Sequence, residues 1–341
     1  MRISATLPTG VAALLFDSAR DLRKTEGALV AGLASAGYQE VILPILDYVE
    51  PYSSLSVATI RSEIYRFIDR DGELLALRSD FTPMLARLLA PRLPQLELPL
   101  RLFYRGDVVR YEPQRPGRSR ELYQLGAELL GVEGEEAERE ILTLFLDLAS
   151  QVAEGNLQVV LGFAGALDAL LLQGGGDDPA GLAAAVGRRE RAPVRAASPA
   201  LLRIVERGVP DRPEDLGEAG ISLRRLAALQ ESLAARFPGV AFHLDLAEFA
   251  GCHLDPRLAS GEGERPYYDG LVFRAYAGPA AIPVGGGGRY DRLFKALGAE
   301  VAAVGFSLSL DRLLEASSRA LIFRPARSNE PAERTLDGGA E

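Results

Sequence analysis

The chain has a single cysteine, Cys252, and two histidines, His243 and His253. One thiol excludes an internal disulfide and fits a reducing, cytoplasmic setting. So few soft ligands argue against a zinc centre, and no metal is expected. Long apolar runs are also missing. Arg20, Asp21, Arg23 and Lys24 interrupt the first stretch that approaches the roughly 18 residues needed to cross a membrane. The basic, apolar and small-residue succession of a secretory leader is not found at the N-terminus, so no export signal is expected. Neither a GxxxxGK phosphate loop nor a GxGxxG turn nor a GxSxG elbow occurs, and neither histidine stands beside a candidate nucleophile. Covalent, metal-assisted and cofactor chemistry therefore have no visible apparatus. A net charge of −9 argues against a nucleic-acid surface.

What is present is an ordinary globular composition. The 341 residues are 48% hydrophobic and 25% charged, enough for a large core. Leu22, Leu29, Val30 and Leu33 form one stripe of a helix expected from Ser18, its N-cap, to about Ser35, with Gly37 closing it. Val41 to Ile45 reads as a strand. Ile64 to Ile68 and Leu74 to Leu77 flank Asp71-Gly72 as a hairpin. A helix follows from Phe81 to Leu89, then a strand pair within Phe103 to Glu128, then an amphipathic helix from Glu135 to Val152. After Asn156 the reading is strand at Leu157 to Leu161, helix at Ala164 to Leu172, and an alanine-rich helical insert at about 179–237. Strands at Val240 to Leu246, Asp269 to Ala277 and Val301 to Leu308 precede a last helix from Leu310. The class is α+β, a mostly antiparallel sheet with flanking helices. One core is expected over 1–323, with a polar tail over 324–341.

Four segments carry chemistry. In LRSDFT, Leu77 to Thr82, Asp80 and Thr82 stand at a helix start, where capping alone would account for them. In the strand pair, Leu122, Gln124, Gly126, Glu128 and Leu130 share one face, and Tyr123, Leu125, Ala127 and Leu129 the other. An amide and a carboxylate on either side of a glycine suggest a small floor with polar walls, suited to a small polar ligand. Arg101, Arg105, Arg110, Arg115, Arg118 and Arg120 surround it. Most arginines are solvated, but Arg110 follows Asp107-Val108-Val109 and is expected to meet an anion. Tyr267 and Tyr268 enter the strand at Asp269, a position more often used for packing. Gly285 to Gly288 precede Arg289-Tyr290-Asp291 and suggest free amides near a helix start, or else a hairpin or bulge.

Taken in order, these segments resemble the core of class II aminoacyl-tRNA synthetases, in particular the histidyl branch. Gly37 to Pro44 is similar to motif 1, the dimer-interface strand. Tyr104 to Glu128 resembles motif 2, and Val304 to Arg312 resembles motif 3. Tyr267-Tyr268 and Gly286 to Asp291 resemble two histidine-specific signatures. Two families share this core, histidyl-tRNA synthetase and the regulatory subunit of ATP phosphoribosyltransferase. Only about 25 residues follow Ala316, where a synthetase places an anticodon-binding domain of the order of 100 residues. Asp80 replaces a synthetase glutamate, Leu161-Gly162-Phe163-Ala164-Gly165 looks like the regulatory family, and Ser309 replaces a glycine that lies against adenine. An extra loop, Leu254 to Pro266, separates Gly251-Cys252-His253 from Tyr267. The arginine expected before that glycine is absent, since Ala250 or Gly263 holds its place and Arg265 is only nearby.

The regulatory resemblance implies a protein without catalysis of its own and without a cofactor. It implies binding of L-histidine by Asp80, Thr82, Arg110, Gln124, Glu128, Tyr267 and Tyr268. Asp80, Thr82 and Gln124 would take the α-amino group, Arg110 the carboxylate, and Glu128 with Tyr268 the imidazole edge. Arg312 would be a vestige of a phosphate site. The implied partners are a short-form ATP phosphoribosyltransferase catalytic subunit and a second copy, paired through the motif 1-like segment within a hetero-oligomer. Neither tRNA nor a membrane is implied. The alternative is a truncated histidyl-tRNA synthetase core that forms histidyl-adenylate.

Overall fold

The computed structural model describes residues 7–50, 64–111, 119–153, 155–164, 166, 169–171, 178–207, 217–252, 268–278 and 283–317. Helix α1 (Asp17–Ser35) buries Leu22, Leu29 and Leu33, with Val30 packed against the same core. It starts one residue earlier than expected. Phe16 holds the cap position without a side-chain bond, so Ser18 lies in the first turn and does not cap. Gly37 adopts φ +83°, a conformation costly for residues with a Cβ. The turn lets the Gly37 and Tyr38 amides reach the carbonyls of Ala34 and Leu33, closing the helix.

The expected strand at Val41 to Ile45 is not formed. Pairing is confined to β1 (Gln39–Glu40), parallel to Leu102–Phe103. The Val41 amide makes one more bond to Phe103, and the chain then runs out to Ile42, which is 89% exposed. Pro44 has no amide to extend the ladder. A small antiparallel sheet follows, in the order β2 (Leu46–Tyr48), β4 (Leu74–Leu77), β3 (Arg66–Ile68). Its β3–β4 hairpin turns at Gly72, as Asp71-Gly72 predicts.

Helix α2 (Thr82–Leu89) leads to β5 (Leu100–Val109) and β6 (Glu121–Leu130), then to α3 (Gly134–Ala153) and β7 (Leu157–Phe163). Further along come helices α4 (Pro179–Gly187), α5 (Arg191–Ala197), α6 (Pro199–Arg207) and α7 (Glu218–Arg236). Their apolar side chains cluster with Leu246, Ala247 and Ala166. The C-terminal half of α7, through Leu226, Leu229 and Leu233, joins the main core instead. The chain ends its described part with β8 (Val240–Leu244), β9 (Leu271–Ala277), β10 (Gly285–Arg289), α8 (Asp291–Ala296), β11 (Ala303–Ser309) and α9 (Leu310–Ala316).

Among the described residues the main sheet has eight strands in the order β1-β5-β6-β11-β10-β9-β7-β8. Only β1–β5 and β7–β8 are parallel, so the expected α+β, mostly antiparallel architecture is present. One face carries Leu125, Ala127, Leu129, Phe273, Phe306 and Leu308 into a core shared with α1 and α3. The opposite face holds Gln124 and Glu128. The glycine run does not offer free amides: Gly285 to Gly288 form β10, paired on both sides with β9 and β11. A Cβ on Gly286 would meet the Phe273 carbonyl at 2.6 Å, so the run is glycine because the neighbouring backbones lie close. The loop at 254–266, Tyr267 and the tail at 324–341 lie outside the described residues.

Candidate functional site

Register places the polar face. β5 pairs Gly106 with Gln124, Tyr104 with Gly126 and Leu102 with Glu128. β11 pairs Ser309 with Gln124, Ser307 with Gly126 and Gly305 with Glu128. Directly paired residues point to the same side of a sheet, so Tyr104, Gln124, Gly126, Glu128, Gly305 and Ser309 share one surface. Gly288, opposite Gly305, continues it onto β10.

Glu128 is the centre, 1% exposed. Thr82 Oγ1 donates to its Oε1 at 2.7 Å and the Tyr104 hydroxyl to the same oxygen at 3.0 Å. The Tyr290 hydroxyl donates to Oε2 at 2.5 Å. No arginine or lysine is bonded to this carboxylate among the described residues. Burial pushes its pKa up to about 7, Asp80 pushes the same way, and the three hydroxyls pull it back. Gly305 is required beside it, because a Cβ there would overlap Glu128 Oε2. A carboxylate has about four acceptor positions, and with three of them taken by hydroxyls this one retains room for one more donor, an N–H of a bound ligand.

Around this centre, Asp80 Oδ1 accepts from the Thr82 amide at 3.1 Å, and its Oδ2 lies 3.7 Å from Arg110 Nη2. Phe81 holds the cap position of α2 without a side-chain bond, so Asp80 supports the helix start from one residue before it and faces Arg110 with its other oxygen. Arg110 does meet an anion, and its Nε donates to the Ser79 carbonyl at 2.8 Å, which fixes the guanidinium beside Asp80. Gln124 is 5% exposed, and its Oε1 has no hydrogen-bond partner in the structure. Tyr268 packs over Gly288, where a Cβ would come within 2.8 Å of its ring. Arg312 Nη1 donates to the Pro283 carbonyl at 3.3 Å.

The structure thus gathers Asp80, Thr82, Arg110, Gln124 and Glu128 into one region, and Tyr268 covers the adjoining glycine. Two other arginines of the motif are elsewhere, and Arg115 and Arg118 lie outside the described residues. Arg101 pairs with Glu140, and Arg105 with Glu26 and Glu40. Sequence reasoning also misread Gly126. It is not bare floor, because a Cβ there would strike the Tyr104 ring at 2.5 Å. The glycine makes room for Tyr104, which stacks on Phe81 with centroids 4.3 Å apart. Tyr104 and Tyr290 were not among the expected site residues. Tyr104 was findable from the period of two that sets it on the Leu102 and Gly106 face, whereas the reach of Tyr290 depends on tertiary placement.

Comparison with known proteins bears on the family and the fold. The family model for histidyl-tRNA synthetase matches residues 10–313. An ATP phosphoribosyltransferase regulatory subunit of Moorella thermoacetica is 34% identical, over 90% of this chain and 81% of that protein. One from Symbiobacterium thermophilum is 35% identical, over 92% and 80%. The chain belongs to the ATP phosphoribosyltransferase regulatory subunit family, among the histidyl-tRNA synthetase-like proteins. In fold it is similar to a crystal structure of an ATP phosphoribosyltransferase regulatory subunit/histidyl-tRNA synthetase from Bacillus halodurans. That match has a TM-score of 0.76 and 25% identity, and covers 93% of this chain and 84% of the other. No helix among the described residues is long and apolar enough to cross a membrane.

Proposed function

We propose that this chain is a non-catalytic subunit that binds free L-histidine and passes that signal to a separate ATP phosphoribosyltransferase catalytic subunit. The observation that carries the reading is Glu128, a buried carboxylate ringed by three hydroxyls with the unpartnered Gln124 oxygen on the same face. An imidazole N–H supplies the missing donor to Glu128, and the charge assistance of a carboxylate acceptor separates histidine from apolar isosteres. Gln124, Asp80 and Thr82 take the ammonium, Arg110 the carboxylate, and Tyr268 borders the ring at the imidazole edge. Arg110 has a carboxylate of its own in Asp80, so the ligand's carboxylate joins an existing charge pair and does not meet a free cation.

Feedback follows if histidine binds the inhibited state of the complex more tightly, for which a coupling of about 1–3 kcal/mol suffices. The names of the relatives supply the partner, a catalytic subunit that provides the phosphoribosyl chemistry. Pairing with a second copy through the motif 1-like segment is supported by apolar exposure in it and just after it, where Ile42 and then Leu46 and Tyr48 of β2 face solvent. Isothermal titration with histidine tests the pocket: saturable one-site heat is expected, and none at millimolar ligand would leave a scaffold without a ligand. The second reading, a truncated synthetase core, draws on Arg110 and Arg312 at phosphate-holding positions of the histidyl branch. Robust histidine-dependent exchange of pyrophosphate into ATP would replace the regulatory reading with that one.

A further inference from the structure

We propose that Ser309 is a binding residue of this pocket, a second acceptor beside Gln124 for the ammonium group of the ligand. The inference rests on the histidine reading and assigns a residue to it. Ser309 is the direct cross-strand partner of Gln124, on the same face as Glu128. Both residues are 5% exposed, and both Ser309 Oγ and Gln124 Oε1 lack a hydrogen-bond partner among the described residues. Buried polar groups are seldom left so, and two on one register pair point to a shared donor.

The ordinary reason for a serine at this place is absent. Ser309 occupies the cap position of α9, yet its hydroxyl makes no capping bond. The side chain is turned away from the task that its position would predict. Directly opposed residues have Cβ atoms roughly 4.5–5.5 Å apart, which puts the two side chains within range of one small shared donor. An alkylammonium fits that demand: it is compact and offers three donors and no acceptor. A hydroxymethyl group that looks only like an obstacle to a nucleotide thereby acquires a positive role, recognition of a free amino acid by its amino end.

The test is titration of the full chain and its Ser309→Ala variant with two ligands, L-histidine and its des-amino analogue 3-(imidazol-4-yl)propanoate. The expected result is a loss of histidine affinity of about 10- to 100-fold, the range for a hydrogen bond to a charged group, with the analogue's affinity changed less than about twofold. Equal weakening of both ligands would show that Ser309 only shapes the pocket, and unchanged histidine affinity would show that it contributes nothing. Either outcome overturns the proposal while leaving the histidine site intact. A wild-type chain that takes up neither ligand removes the histidine reading itself, and the assignment of Ser309 with it. Thermal melting of the variant accompanies the titration, and an unchanged melting temperature establishes that a selective loss is not unfolding.

Discussion

Replacing Glu128 by glutamine is expected to make the unliganded chain more stable at alkaline pH while destroying ligand binding. Two effects compete at this carboxylate. Three hydroxyl donors stabilise its charge, and complete burial opposes it. Burial wins, since the pKa rises from 4.5 to about 7. A carboxyl raised in the folded state holds its proton more tightly there than in the unfolded chain. Its contribution to stability is therefore complete below about pH 4.5 and is lost as pH rises through about 7. At 1.36 kcal/mol for each tenfold change in proton affinity, about 3 kcal/mol is at stake, of which about 2.5 kcal/mol falls between pH 5 and pH 8. Glutamine fills nearly the same volume and does not ionise. The stability difference between Glu128→Gln and wild type should thus move in the variant's favour by about 2–3 kcal/mol from pH 5 to pH 8. Urea unfolding at the two pH values measures it, with melting temperature as a second probe. A difference that does not change with pH, or that moves toward wild type as pH rises, would refute the reasoning, because the hydroxyl bonds would then outweigh burial.

Other expectations follow from the same geometry. Arg110→Ala should weaken histidine by about 10- to 100-fold but leave histidinol, which lacks the carboxylate, nearly unaffected, as read by calorimetry. Gly305→Ala should cost about 3 kcal/mol or more in urea unfolding, since its Cβ would overlap Glu128 Oε2 within a packed sheet. Glu26 is buried on the opposite side of the sheet, where it accepts from Tyr123 and pairs with Arg23 and Arg105. Burial alone would raise its pKa, but these partners prevail and hold it below the usual range. Its stabilisation is then present above that range and lost on acidification. Glu26→Gln should cost about 2 kcal/mol at pH 7, the range for a hydrogen bond to a charged group, a deficit that narrows as pH falls through the carboxylate range.

The parts of this protein that were legible in the sequence are those set by local pattern. The Leu22, Leu29 and Leu33 stripe and the alternation that puts Gln124 and Glu128 on one face follow from a period of 3.6 or 2, and the Asp71-Gly72 hairpin from its turn dipeptide. What was not legible depends on long-range register. Four consecutive glycines have poor strand propensity, yet they form β10 because close-lying neighbours on both sides exclude any Cβ. Val41 to Ile45 has the composition of a strand, but it leaves the sheet after one further backbone bond although β5 runs on to Val109, and Pro44 has no amide with which to resume the pairing. The three hydroxyls on Glu128 come from positions 82, 104 and 290, on a helix, a strand and the turn after β10. Sequence spacing alone gives no signal of that convergence.

The central claim is that histidine acts through the Glu128 pocket of this subunit. The most direct measurement is histidine inhibition of phosphoribosyl transfer in a complex of this chain with a short-form catalytic subunit, made in parallel with the Glu128→Gln variant. The account predicts that both complexes are active, that histidine inhibits the wild-type complex, and that the Glu128→Gln complex is insensitive at the same concentrations. Equal inhibition of the two complexes by histidine would place the sensor elsewhere and contradict it.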